Sequence, residues 1–268
     1  MTARDPMPPA GPREGRTVPE VVAHRGASAD APENTLAAVD KAVRQRADAV
    51  EVDVARTADG HLVLLHDATL ARTTDVAQVF PDRALAPVGA FTLAELQRLD
   101  AGSWFGPAFA GTRIPTLAEC VEHAGDRAGL LLELKDPAAH PGIEGEVAAT
   151  LGGPRPGVAV ESFDHDAIRR FAEAAPGVPV GLLFGTRPTG ARLDDAATAG
   201  VAQINPGFRV ADARLVGAVR ARGMEIGVYT VNDEADMRRM LDAGVDRIIT
   251  DHPGVLRDML CAARRSSR

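Results

Sequence analysis

With 268 residues, 45% of them hydrophobic, the chain can bury a large core and has the size of one α/β barrel, for which about 250 residues is typical. Its formal net charge of -7 argues against a general nucleic-acid binder, which needs a basic footprint, but leaves room for a small phosphate ester held by a local cation cluster. No apolar run is long enough to cross a bilayer, so stable membrane insertion is not expected.

Residues 1–18 are rich in Pro, Gly and charge and lack the apolar stretch of a secretory signal. They read as a disordered leader, and the protein as cytoplasmic. Residues 19–268 read as one domain. Its oligomeric state is open. Cys120 and Cys261 show neither metal-ligand spacing nor a bridge framework, and read as two reduced structural thiols.

Along the chain, short aliphatic runs predict strands at 21–25, 49–55, 129–135, 158–162, 180–184, 202–205, 225–231 and 247–250. Helical patterns fall between them, for example at 35–46, 166–175, 211–222 and 234–243. A further run at 62–66 follows the Asp59-Gly60 turn signal. Most of these strands are continuous apolar runs, as expected when both faces are buried. The alternation predicts an α/β fold, a single (β/α)8 TIM barrel with a small insertion after the second barrel strand, at about 67–116. A doubly wound open sheet is the alternative.

In a barrel, chemistry collects at the C-terminal ends of the strands. Glu51 and Asp53 are two residues apart on a strand and therefore share a face. Two adjacent buried carboxylates are costly unless protonated or bridged by a cation. Glu133, near the end of the next barrel strand, could supply a third oxygen, and three carboxylates suit Ca²⁺ or Mg²⁺. A solvated acidic rim, or pairing with arginines such as Arg25, would explain the same residues. His24 and His66 each end an apolar run and are natural acid-base groups, or else hydrogen-bonded rim residues. Arg25 and Lys135 suit a phosphoryl group, though Lys135 could instead pair with Glu133 or Asp136. His61, His123, His140 and His165 read as surface residues, and Asp251 and His252 as structural rim residues.

These residues come in a recognisable order. The set His24-Arg25-Gly26, Pro32-Glu33-Asn34-Thr35-Leu36, Glu51-Val52-Asp53-Val54, Thr57-Ala58-Asp59-Gly60 and His66-Asp67 resembles the glycerophosphodiester phosphodiesterase family. So do Leu99-Asp100-Ala101-Gly102-Ser103, Ile114-Pro115-Thr116-Leu117, Glu133-Leu134-Lys135, Ser162-Phe163-Asp164 and Val228-Tyr229-Thr230-Val231-Asn232, which follow in order. The resemblance runs from about residue 21 to 253.

The resemblance implies a TIM barrel that hydrolyses glycerophosphodiesters to glycerol phosphate and an alcohol. It implies a divalent metal, Ca²⁺ or Mg²⁺, on Glu51, Asp53 and Glu133. His24 and His66 would be the acid-base pair, with Arg25 and Lys135 on the phosphate. Tyr229, Phe163 and Trp104 would line the substrate pocket. Members commonly carry Trp where this chain has Tyr229, whose hydroxyl could change the preferred alcohol. Asn34 would orient the first loop and cap the following helix. Two other activities fit less directly: a lysophospholipase D, with Trp104, Phe105 and Phe109 as a wall for an acyl chain, and a catalytically silent barrel that binds phosphorylated metabolites.

Overall fold

The computed structural model describes residues 18–266, so the leader expected at 1–18 lies, apart from Val18, outside the described residues. The strands are β1 (Glu20–Ala23), β2 (Ala49–Arg56), β3 (Leu62–Leu64), β4 (Gly129–Leu134), β5 (Val158–Ser162), β6 (Val180–Phe184), β7 (Gln203–Pro206), β8 (Glu225–Val228) and β9 (Arg247–Thr250). All but β3 are parallel and run around a ring, which closes because β1 pairs with both β2 and β9. That closure excludes the open sheet. β3 lies antiparallel on β2, with Val54 opposite Leu64, and forms the hairpin expected after Asp59-Gly60.

Helices α1 (Leu36–Arg44), α2 (Val76–Val79), α3 (Leu93–Leu96), α4 (Leu117–Ala124), α5 (Ile143–Leu151), α6 (His165–Ala174), α7 (Gly190–Thr198), α8 (Ala213–Arg220), α9 (Glu234–Ala243) and α10 (Pro253–Ser266) follow in order. Each parallel strand is followed by one long helix; the short α2 and α3 belong to the insertion between β3 and α4.

The strands that read as uniformly apolar are two-faced. The outward residues Val50, Val52, Leu130, Leu132, Val158 and Val160 join Val39, Leu117, Ile143 and Ile168 in one buried cluster under the helices. Fully burying such a side chain contributes about 1.5–3 kcal/mol, so this layer is the main source of stability. Inside the ring only Val22, Ala49, Leu131, Ala159 and Ile249, with Tyr229 packed against them, form an apolar plug. Most of the remaining inward positions are polar or glycine, and the site is built from the polar ones.

The insertion has its own core. Leu70, Val76, Val88, Phe91, Leu96 and Leu99 bury against Val63 and Leu65 of the hairpin. Thr92 caps α3 and Thr116 caps α4, each with the reciprocal glutamate bond of a capping box. Cys120 is buried in α4, and both cysteines are free thiols. Of the four histidines expected on the surface, only His61 is exposed. His140 is buried, His123 is half-buried against Asp40, and His165 packs its ring on Phe184 at 4.7 Å.

The first strand stops at Ala23, two residues earlier than the pattern suggests. Arg25 (φ 53), Gly26 (φ 83) and Asn34 (φ 56) take left-handed backbone conformations and turn the chain back over the mouth of the barrel. A Cβ on Gly26 would sit 2.5 Å from Ala38 Cβ and 2.7 Å from its carbonyl carbon, in a conformation L side chains rarely adopt. Gly26→Ala is therefore expected to lower stability by about 1–3 kcal/mol. Urea unfolding of the two proteins would read this, and an unchanged midpoint would mean that the loop relaxes freely.

Candidate active site

The left-handed turn after β1 brings groups onto the second strand. The Arg25 backbone N–H donates to Glu51 Oε2 at 2.8 Å, its Nη1 donates to Glu33 Oε1 at 2.9 Å, and its Nε lies 3.3 Å from Asp53 Oδ2. Asn34 is buried and clamps Asp53 twice: its Nδ2 donates to Asp53 Oδ2 at 2.7 Å and its Oδ1 accepts from the Asp53 backbone at 3.1 Å. The helix cap expected of Asn34 belongs to Thr35, whose Oγ1 accepts from the Ala38 N–H.

Strand register lines up the acids. Asp53 of β2 is opposite Glu133 of β4, and Glu133 is opposite Glu161 of β5, so their side chains share the inner face. Glu51, Asp53 and Glu133 each place one oxygen within 4.8 Å of the others. Lys135, just past β4, sets its Nζ 2.9 Å from Glu133 Oε1 and 3.5 Å from Asp53 Oδ1. The pairing that was an alternative for Lys135 thus coexists with a place at the site.

The electrostatics follow from burial and crowding. Burial, then the charges of Asp53, Glu133 and Glu161, hold the Glu51 carboxyl well above the ordinary range. Burial and Asp53 push Glu133 up to about 7 against the pull of Lys135. Burial and Glu133 push Glu161 up to about 8, although Asn205 donates to it. Burial also works against ionised Asp53, but Arg25 and Lys135 outweigh it and keep that carboxyl low. Glu51 Oε1 and Asp53 Oδ1 are buried without a hydrogen-bond partner. A hard divalent cation needs oxygen acceptors of this kind, so the residues fit a Ca²⁺- or Mg²⁺-type site.

Both histidines are held by carboxylates. His24 Nδ1 lies 2.6 Å from Asp251 Oδ1, and His66 Nδ1 lies 2.7 Å from Asp67 Oδ1. An ionised carboxylate only accepts, so in each ring Nδ1 carries the proton and Nε2 remains for chemistry. Burial, with Arg25 and Lys135 nearby, lowers His66 despite the opposing pull of Asp53 and Asp67. Asp251 also accepts from Ser28 Oγ at 2.9 Å and from Asn232 Nδ2 at 2.6 Å.

Of the three expected pocket aromatics, Phe163 and Tyr229 meet edge to face at 5.9 Å after β5 and β8. Trp104 meets Phe105 edge to face at 5.6 Å, and Phe105 meets Phe109 edge to face at 5.4 Å. The Tyr229 hydroxyl donates to the Phe184 carbonyl at 3.0 Å, so that hydroxyl is already engaged by the scaffold.

Sequence reasoning passed over Asp251 as a rim residue, quoted Asp67 only within a motif, and did not single out Arg72 or a role for Glu161. The usable signal for Asp251 was its place just beyond the C-terminal end of a barrel strand. Burial works to raise the Asp251 carboxyl, but His24, Ser28 and Asn232 hold it at about 2. A depressed folded-state pKa means a stabilisation that is present above the unfolded value of about 3.9 and is lost as pH falls through about 2. Asp251→Asn should therefore flatten the fall in stability across that window. Urea unfolding from pH 5 to pH 2 would show it, and parallel curves for the two proteins would contradict it.

Residues 24–255 match the model of the glycerophosphoryl diester phosphodiesterase family. A glycerophosphodiester phosphodiesterase of Caldanaerobacter subterraneus subsp. tengcongensis is 38% identical over 243 residues, covering 88% of this chain and 95% of that protein. One from Bacillus subtilis is 33% identical over 252 residues, covering 87% of this chain and 83% of that protein. Among solved structures, an Oleispira antarctica phosphodiesterase in complex with the product sn-glycerol-3-phosphate superposes with a TM-score of 0.80 at 32% identity, covering 91% of this chain and 97% of the other. Ring closure, the row of inner-face acids and these likenesses agree: the chain belongs to the glycerophosphoryl diester phosphodiesterase family.

Proposed function

We propose that the protein hydrolyses glycerophosphodiesters to glycerol phosphate and an alcohol, using a divalent cation and an acid-base pair of histidines. The observation that carries this is the convergence of one oxygen each from Glu51, Asp53 and Glu133, in a cluster where Glu51 Oε1 and Asp53 Oδ1 are buried with no hydrogen-bond partner. The small-molecule substrate is supported by the family and by the glycerol phosphate held in the Oleispira structure.

Glu51, Asp53 and Glu133 would hold Ca²⁺ or Mg²⁺, which when bound supplies Lewis-acid charge to a phosphoryl oxygen. Arg25 and Lys135 add fixed positive charge where the phosphate's oxygens gather charge in the transition state. The Nε2 of one histidine takes a proton from the nucleophile, a water or the adjacent glycerol hydroxyl. As the new P–O bond forms and the bond to the alcohol breaks, the other histidine, entering as an imidazolium protonated on both nitrogens, gives its Nε2 proton to the departing oxygen; where the glycerol hydroxyl attacks, water then opens the cyclic phosphate to glycerol phosphate. Asp67 and Asp251 would each accept from Nδ1, which leaves Nε2 to take the proton in one ring and to release it in the other. Phe163 and Tyr229 offer an aromatic edge beside the alcohol. No nucleic acid is expected as substrate. Among the described residues no helix is long and apolar enough to cross a membrane.

His24→Ala and His66→Ala should each lower turnover of glycerophosphocholine by about 10²–10⁴-fold in folded protein. Near-normal turnover in either variant would remove it from the pair. Exhaustive chelation should abolish activity, and Ca²⁺ or Mg²⁺ should restore it; full activity after chelation would exclude the metal role. Because Glu51 and Glu133 take up protons readily when crowded together, cation binding should release protons and tighten as pH rises through about 7. Calorimetry in buffers of different ionisation enthalpy reads this directly, and proton-neutral, pH-independent binding would contradict it.

A further inference from the structure

Arg72 lies in the insertion, on a stretch whose backbone is pinned by its neighbours: Leu70 is fully buried, Thr73 is buried, and Thr74 Oγ1 donates to the Leu70 carbonyl at 2.7 Å. Its guanidinium reaches across to two carboxylates that are 34 residues apart in sequence, Asp67 and Glu33. Nε and Nη2 donate to the two Asp67 oxygens at 2.6 and 3.0 Å. Nη1 and Nη2 donate to the two Glu33 oxygens at 2.6 and 2.7 Å. This is a double bidentate grip, the geometry that a planar guanidinium provides and an ammonium does not.

The two carboxylates are those behind the reacting groups. Asp67 Oδ1 holds His66 Nδ1 at 2.7 Å, and Glu33 Oε1 holds Arg25 Nη1 at 2.9 Å. Arg25 in turn touches Asp53 and Glu51. A continuous chain of charge-assisted bonds therefore runs from the imidazole after β3, through Arg72, to the guanidinium after β1 and the acidic cluster. The other histidine, His24, is fixed separately by Asp251, which in turn accepts from Ser28 and Asn232.

We propose that Arg72 is a positioning residue: by bonding Asp67 and Glu33 together it sets the His66 imidazole in register with the Arg25 guanidinium, so that proton transfer and phosphate contact fall on one substrate pose. This rests on the roles given to His66 and Arg25 under the proposed function. The ordinary expectation for such a pair is a surface ion bridge of little consequence, since the Arg72 side chain is 45% exposed. Glu33 is different, with only 12% of its side chain exposed. The Arg72 bonds hold Glu33 low against the opposing effect of burial, and they bring Asp67 to about 2. Removing the guanidinium leaves both carboxylates without their common partner while the core of the insertion stays intact. The loss should therefore appear in turnover far more than in stability, because displacing a reacting group by about 1 Å can cost about 10²-fold in rate.

The test uses the full chain, loaded with Ca²⁺ or Mg²⁺, with glycerophosphocholine as substrate. Arg72→Met should lower kcat by about 10- to 100-fold with little change in KM and a nearly unchanged melting temperature. Arg72→Lys, which keeps the charge but not the fork, should fall between Arg72→Met and the native protein. Millimolar guanidinium should restore part of the kcat of Arg72→Ala and none of that of His66→Ala. In the double variant Arg72→Met/His66→Ala, the loss should be no greater than that of His66→Ala alone. Native kcat in Arg72→Met beside an inactive His66→Ala would overturn the positioning role and leave the reaction assignment standing. A kcat loss that tracks loss of folded protein, with no guanidinium rescue, would make Arg72 merely structural. An active His66→Ala would instead overturn the assignment beneath it.

Discussion

Glu51 and Asp53 sit side by side on the inner wall of the barrel, 2% and 0% exposed, and much of the surrounding structure follows from the cost of keeping them there. Water cannot screen them, and each makes the other's ionisation harder. The loop after β1 offsets part of that cost. Two of its non-glycine residues, Arg25 and Asn34, adopt left-handed conformations that cost about 1–3 kcal/mol each. The return is specific: the Arg25 N–H reaches Glu51, and the Asn34 amide grips Asp53 by side chain and backbone at once. Early termination of β1 is thus part of the site, since a strand continuing through Arg25 would carry these donors away from the acids.

Ring closure was legible in the alternation of aliphatic runs and helical patterns because most outward strand residues are apolar. The acidic trio was legible because the spacing of Glu51 and Asp53 fixes their shared face before any contact is known. What stayed hidden depends on long-range contacts. Asp251 lies 227 residues from His24 and bonds to it only because β9 closes the ring beside β1. His140 resembles a turn residue in sequence yet is buried, on the side where a Cβ added to Gly89 of the insertion would meet its ring. The hydroxyl of Tyr229, expected to bear on the preferred alcohol, donates to the Phe184 carbonyl, a partner no local pattern shows.

The two histidine–aspartate pairs use the same bond in different surroundings. Asp251 is held by neutral donors, Ser28 and Asn232, besides His24. Asp67 is held by a cation, Arg72, and His66 is further flanked by Arg25 and Lys135. One imidazole thus faces a carboxylate whose charge is largely its own to use, while the other shares its carboxylate with a guanidinium. A single covalent motif, a strand end followed by His, therefore yields two imidazoles in unlike surroundings, and the difference comes from loops contributed by distant parts of the chain.

The barrel interior carries a second charged layer, at the opposite end, and the contrast explains why chemistry belongs at the mouth. At the floor, Arg247 sits between Glu20 and Glu225, with nitrogens 2.5 and 2.6 Å from their oxygens. The atoms there without a protein partner are a donor, Arg247 Nη1, and an acceptor, Gln203 Oε1. Both residues line a cavity of about 30 Å³, and a water needs only about 10–15 Å³ and polar partners of both kinds. A neutral molecule with a donor and an acceptor would suffice for that layer. At the mouth, Arg25 Nε already lies near Asp53, and the remaining pair, Glu51 Oε1 and Asp53 Oδ1, are both acceptors on acidic groups. Water can donate to them but cannot remove their mutual repulsion; a proton or a cation can. The floor sets an unpartnered donor beside an unpartnered acceptor, whereas the mouth leaves two acceptors on crowded acidic groups, the arrangement that fits a hard divalent cation.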